Sequence, residues 1–151
     1  MATYTDGVGF DLNTAAYSDR GLHKVTVNSV VLDFAAIIAA RAAAGATALA
    51  ATDVLTVLHI PAETILLGAG IEVTTVESTN TTAVFHVGDG ADPDGYVASQ
   101  ASNALGSDAS SGALGFGKYY AAADTLDLSL ITAAPTDAVI RVFAVMANVS
   151  D

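Results

Sequence analysis

The sequence predicts a mainly β protein, an antiparallel β-sandwich of jelly-roll-like kind carrying one short Ala-rich helix or loop insertion, and three observations predict it. Apolar and polar residues alternate at period two in several short runs, most cleanly in Thr125-Leu-Asp-Leu-Ser-Leu130, where Leu126, Leu128 and Leu130 share a buried face and Thr125, Asp127 and Ser129 a wet one. Turn sequences such as Pro61-Ala-Glu-Thr64, Ser78-Thr-Asn-Thr81 and Pro93-Asp-Gly95 separate these runs. No strand–helix–strand rhythm of the kind that builds a parallel sheet is present.

Residues 1–21 are rich in Gly, Asp, Thr, Ser and Asn without periodicity and read as an extended N-terminal arm, leaving residues 22–151 as a single sandwich domain. Tyr4, Phe10 and Tyr17 punctuate the arm. Aromatic residues on a polar segment are candidate anchors for a partner surface, or they fold back on their own domain. Leu22 to Leu32 mixes alternation with β-branched pairs and predicts a strand with a bulge near Asn28-Ser29. Asp33 stands as the N-cap of a helix whose face is Phe34, Ile37 and Ile38, and Gly45 is placed to end it. The Ala-rich run that continues to Ala51 has side chains so short that it packs only against something close, a sheet or a second copy, or else forms a loop.

Val54 to Ile60 is an apolar strand stopped by Pro61, which has no N–H to give to a ladder. Ile65 to Val76 alternates, with Gly68 and Gly70 marking a bulge or a close backbone approach. Ala83, Phe85 and Val87 alternate again. Ala98 to Gly115 contains few large apolar side chains and reads as a long surface loop. A short strand at Lys118 to Ala121, the Leu126–Leu130 strand and a final strand from Ala138 to Val149 bring the total to seven or eight. The last is apolar on both faces, which places it inside a sheet or at a subunit interface.

A chain of 151 residues fits one domain with an adequate core. The absence of cysteine removes disulfides, thiolate metal sites and a thiol nucleophile. Five basic residues against sixteen acidic ones give a net charge of −11, which repels nucleic-acid phosphates and anionic membranes and favours basic partners or metal ions. Arg41 interrupts the apolar stretch Phe34 to Ala51, which is also too short to span a bilayer. The N-terminus lacks the basic and apolar regions of a signal peptide. Few charges together with many alanines favour an oligomer or a docked subunit.

The densest cluster of polar chemistry is Val87-Gly-Asp-Gly-Ala-Asp-Pro-Asp-Gly-Tyr96. Asp89, Asp92 and Asp94 are candidate calcium ligands, because hard cations want clustered oxygens, but the EF-hand spacing fails: position six from Asp89 is Asp94, not glycine. The competing reading is a turn in which Gly88, Gly90 and Gly95 allow positive φ, Pro93 fixes its own φ and the aspartates bond their own backbone. His23, His59 and His86 lie far apart without metal-ligand spacing. No nucleophile elbow, phosphate loop or dinucleotide fingerprint occurs, so neither an enzyme nor a cofactor is expected.

Gly88 to Tyr96, Gly117-Lys-Tyr-Tyr-Ala-Ala-Ala-Asp-Thr-Leu-Asp-Leu128 and Ala133-Ala-Pro-Thr-Asp-Ala-Val-Ile-Arg-Val-Phe-Ala-Val145 together resemble small virion proteins of tailed bacteriophages, notably capsid decoration or cement proteins. The resemblance runs over residues 53–149. It implies a β-sandwich subunit, often a homotrimer, that sits on the outer surface of the capsid and bridges copies of the major capsid protein. A tail, fibre or head–tail protein is the alternative within the virion. A carbohydrate-binding jelly roll is the alternative outside it, disfavoured by low aromatic content and the absence of tryptophan.

Overall fold

The computed structural model describes residues 25–149. These form nine strands and one helix: β1 (Val25–Asp33), α1 (Phe34–Ala43), β2 (Val54–Ile60), β3 (Thr64–Thr75), β4 (Val84–Gly88), β5 (Val97–Ala101), β6 (Gly106–Ala109), β7 (Lys118–Tyr120), β8 (Asp124–Leu130) and β9 (Val139–Asn148). One sheet has the order β1-β9-β3-β6, with β7 pairing to β3 beside β6, and the other has the order β2-β8-β4-β5. All pairs are antiparallel. Most connections cross from one sheet to the other and only β4–β5 and β6–β7 stay within one, which is jelly-roll topology.

The inward faces meet in a continuous core that includes Leu66, Ile71, Val87, Leu128, Ile140 and Val142, all fully buried. Each such side chain contributes about 2 kcal/mol relative to exposure, so the regular alternation of the strands suffices to drive the two sheets together. At one end of the sandwich the ring of Phe34 stacks on Phe85, with centroids 5.7 Å apart and planes 14° from parallel. The start of α1 is thereby fixed against β4, and Phe34 N–H donates to the Ala138 carbonyl at 3.1 Å.

Local signals explain the ends of the elements. Asp33 caps α1 by accepting from Ala36 N–H at 3.1 Å, and Gly45, at φ +65°, follows the last helical turn in the left-handed region. The helix is therefore ten residues long, and the run from Ala46 to Ala51 leaves it as a loop tied back by Arg41, which donates to the Thr47 carbonyl at 2.6 and 3.1 Å. The bulge expected at Gly68 is present as a register shift between Leu66 and Gly68. Gly70 is required by a close approach, since a Cβ there would lie 2.5 Å from the Phe143 ring. β9 lies between β1 and β3, in the sheet interior, one of the two places that its apolar faces predict.

Three expectations are corrected. β1 pairs with β9 in unbroken register from Val25 to Asp33, so there is no bulge at Asn28-Ser29. The apparent change of phase arises because Val25, Val27 and Val31 point outward while Val30 and Leu32 point inward, and both faces are apolar. Ala98 to Gly115 is not one long loop: β5 pairs with β4 and β6 pairs with β3, raising the strand number to nine among the described residues. These are edge strands held by backbone ladders, with small polar side chains that leave no alternation to read. Ser129 is buried rather than wet, being set in register between Val54 and His86.

Candidate functional site

The Val87–Tyr96 segment folds around its first aspartate. Asp89 lies just past the end of β4 with its side chain fully buried, and its Oδ1 accepts from the N–H groups of Ala91 and Asp92, both at 3.0 Å. The Asp92 carbonyl returns the contact, accepting from Asp89 N–H at 3.0 Å and from Gly95 N–H at 3.1 Å. This closes an Asx-type turn in which the carboxylate replaces a backbone acceptor. None of Gly88, Gly90 and Gly95 is left-handed, correcting the expected conformation, and Gly88 and Gly95 instead serve close packing. A Cβ on Gly88 would lie 2.0 Å from the Asp92 carbonyl oxygen, and one on Gly95 would lie 2.4 Å from the Leu114 side chain.

β7 supplies the other half of the cluster. Lys118 Nζ and the Tyr120 hydroxyl both donate to Asp89 Oδ2, the hydroxyl at 2.6 Å, and the Lys118 ammonium sits 4.8 Å from the centre of the Tyr120 ring. Tyr120 gives its one proton to Asp89, so Tyr96 donates to the Tyr120 oxygen across 2.9 Å. Burial pushes the Asp89 carboxyl upward, but the bonds from Lys118, Tyr120, Asp92 and Ala91 outweigh it and hold the group below the usual carboxylate range. Burial raises Tyr96 to about 12, and burial together with the bond to ionised Asp89 pushes Tyr120 higher still. Near neutral pH the carboxylate is charged and both phenols keep their protons. The arrangement fixes a loop to a strand; it holds no group poised to accept or release a proton.

Glu77, which the sequence reading passed over, forms a second buried hub. Its Oε1 accepts from Asn80 N–H at 2.9 Å, Thr79 N–H at 3.2 Å and the Thr136 hydroxyl at 2.5 Å. Its Oε2 accepts from the N–H groups of Thr136, Asp137 and Ala138 at 2.7, 3.1 and 3.2 Å. Burial again pushes the carboxyl up, and again the donors, the Thr136 hydroxyl foremost, hold it far below its ordinary value. One side chain thus stitches the β3–β4 turn to the approach to β9. A buried acid followed by Ser-Thr-Asn is the sequence signal for half of this hub; the other half is contributed from 59 positions away.

Tyr4, Phe10, Tyr17 and His23 lie outside the described residues. Asp92 and Asp94 remain beside Asp89, and a hydrogen bond shared with Asp94 raises Asp92. Both Asp89 oxygens already serve four donors. Among the described residues no group of three or more acidic or histidine side chains is placed to hold a metal ion. His59 is exposed on β2 and His86 half-buried on β4, opposite Thr125 and Ser129 respectively, in different rows of their sheet. No helix among the described residues is long and apolar enough to cross a membrane.

The fold and these hubs define a small antiparallel jelly roll stabilised by buried carboxylates. In fold it is similar to chains from three phage capsid structures. A chain in the acidic stable capsid of the Helicobacter pylori bacteriophage KHP30 superposes with a TM-score of 0.59 at 9% identity, over 83% of this chain and 90% of its own. A chain of the cyanophage Pam1 capsid asymmetric unit gives 0.57 at 17% identity, over 97% and 93%. A chain from the capsid of Ralstonia phage GP4 gives 0.59 at 15% identity, over 86% and 88%. No protein-family model matches the sequence, and no curated protein matches it.

Proposed function

We propose that this chain is a non-enzymatic structural protein of a tailed-phage virion, a decoration or cement subunit that binds the outer surface of the head and strengthens contacts between major capsid proteins. The observation that carries the reading is the reciprocal coverage of the capsid neighbours. Each matches over at least 83% of this chain and 88% of its own, so most of this chain shares its fold with chains found in phage capsid structures. The resemblance of Gly88–Tyr96, Gly117–Leu128 and Ala133–Val145 to decoration proteins supports the same assignment. So does the chemistry of the best-formed polar site, whose Asp89, Tyr96 and Tyr120 are locked to one another.

In this reading the subunit self-associates, as a homotrimer by the resemblance, and acts by mass action: a protein that binds only the assembled shell stabilises it. The arm of residues 1–21 reaches the major capsid protein through Tyr4, Phe10 and Tyr17. Heads lacking the protein, mixed with purified chain, should bind it saturably and resist heat better. Deletion of residues 1–21 should weaken binding, and unchanged occupancy would remove the arm from the account. Failure of the full-length chain to sediment with heads would remove the decoration role itself.

A further inference from the structure

The outer face of the β1-β9-β3 sheet is built to be covered. Register partners in a sheet point to the same side, so its rows can be read across the strands. The first row is Val25, Ala147, Ile65 and Tyr119. The next sets Val27 beside Val145 and Gly68, and the third sets Ser29 beside Phe143, Gly70 and Ala109. Charge enters only in the fourth row, where Arg141 and Glu72 form an ion pair at 3.0 Å beside Val31. Within the face, a shallow apolar groove is lined by Gly68, Ala109, Phe116, Phe143 and Val145. Phe116 is 78% exposed and Val27 70%, and Val25, Val31 and Tyr119 each exceed half exposure. Ala147, between Val25 and Tyr119 in the first row, is buried at 8% exposure, and Phe143 and Val145 are half-buried; exposed apolar side chains in this number on one face mark an interaction site.

Charge selects the occupant. A partner of opposite charge would be recruited by the acidic surface that this chain of net charge −11 carries elsewhere. A second copy brings the same −11, and two copies can approach closely only where neither presents unpaired acids. The three uncharged rows meet that requirement, and the charged row carries its own counterion. We infer that the outer face of the β1-β9-β3 sheet, centred on Val27, Phe116 and Phe143, is the surface by which one copy of this chain binds another. The inference deepens the self-association in the proposed function and does not depend on the capsid contact, which is read by a different measurement.

Light scattering on the eluting full-length protein tests it with three variants: Val27→Asp, Phe116→Asp and, as control, Val54→Asp. Val54 is equally an exposed strand valine, but on β2 in the other sheet. The wild type should run at a multiple of 15.1 kDa. Val27→Asp and Phe116→Asp should fall to the single-chain mass with an unchanged circular-dichroism spectrum, and Val54→Asp should keep the wild-type mass. If an aspartate variant unfolds, Val27→Ser and Phe116→Ser replace it and should weaken association at least tenfold. A monomeric wild type with hydrogen exchange slowed along β1, as if its own arm covered the face, would overturn the inference. So would folded variants that keep the wild-type mass, or equal dissociation by Val54→Asp.

Discussion

The hydroxyl of Tyr96 lies 2.9 Å from that of Tyr120, joining the end of the Gly-Asp-Gly loop to the β7 edge strand inside the protein. Tyr120 passes the contact on to Asp89 at 2.6 Å, so three residues spread over 31 positions share one chain of donated protons. The loop and the Lys118-Tyr-Tyr strand are therefore one structural unit. Their side-by-side occurrence in the sequence resemblance has a physical basis in that unit.

Tyr120→Phe removes a donor from buried, ionised Asp89 and the acceptor of Tyr96 in one step. It should destabilise the fold by about 2–3 kcal/mol in urea unfolding. Tyr96→Phe leaves Asp89 fully served and should cost about 1 kcal/mol. The double variant should lose less than the sum, because the second change removes a bond already broken. Strict additivity would show that the two hydroxyls do not interact.

Glu77→Gln replaces an acceptor-only group with one whose amide nitrogen faces N–H donors, and it should destabilise by about 3 kcal/mol. The pH dependence follows from the direction of the shifts. Glu77 and Asp89 both have folded-state values below their unfolded ones, about 4.3 and 3.9, so their stabilisation is present in full above those values and is lost as pH falls through the folded ones. Wild-type stability should be level from pH 7 to about 5.5 and decline below about 4.5, with a shallower decline in Glu77→Gln. An identical acid limb in the variant would show that Glu77 does not contribute to it.

Gly88→Ala places a methyl group 2.0 Å from a backbone oxygen that cannot move without opening the Asp89 turn, and it should destabilise by about 3 kcal/mol. Gly90→Ala meets nothing within 4 Å and should change stability by less than about 0.5 kcal/mol. Thermal melts of the pair separate a loop governed by packing from one governed by glycine flexibility, in which both would suffer alike.

Much of this architecture was legible because one residue sufficed to signal each feature: Pro61 ended β2, Asp33 and Gly45 bracketed α1, and Leu126, Leu128 and Leu130 defined a buried face. β5 and β6 were not legible, since Ser, Ala and Gly become strands there by pairing with β4 and β3 rather than by their own patterning. The hub at Glu77 was hidden for a related reason. Three of its donors are N–H groups at residues 136–138, which carry no side-chain signature at all. The loop at Asp89 was half visible: its Asx turn was local, whereas Lys118 and Tyr120 arrive from another strand.

Calcium binding by Asp89, Asp92 and Asp94 would have to displace the four donors that Asp89 now serves. Calcium or a chelator should therefore leave the melting temperature unchanged. A specific site filled to a hundred times its dissociation constant would add about 2.7 kcal/mol and raise the midpoint by about 5–10 °C, which would reinstate these residues as ligands.

Cryo-electron reconstruction of particles carrying this chain measures directly whether it takes the proposed position on a virion. The proposed role requires jelly-roll density of this topology repeated over the outer surface of the head at symmetry-related positions, in contact with the major capsid protein. Density confined to the tail or the portal vertex would contradict it.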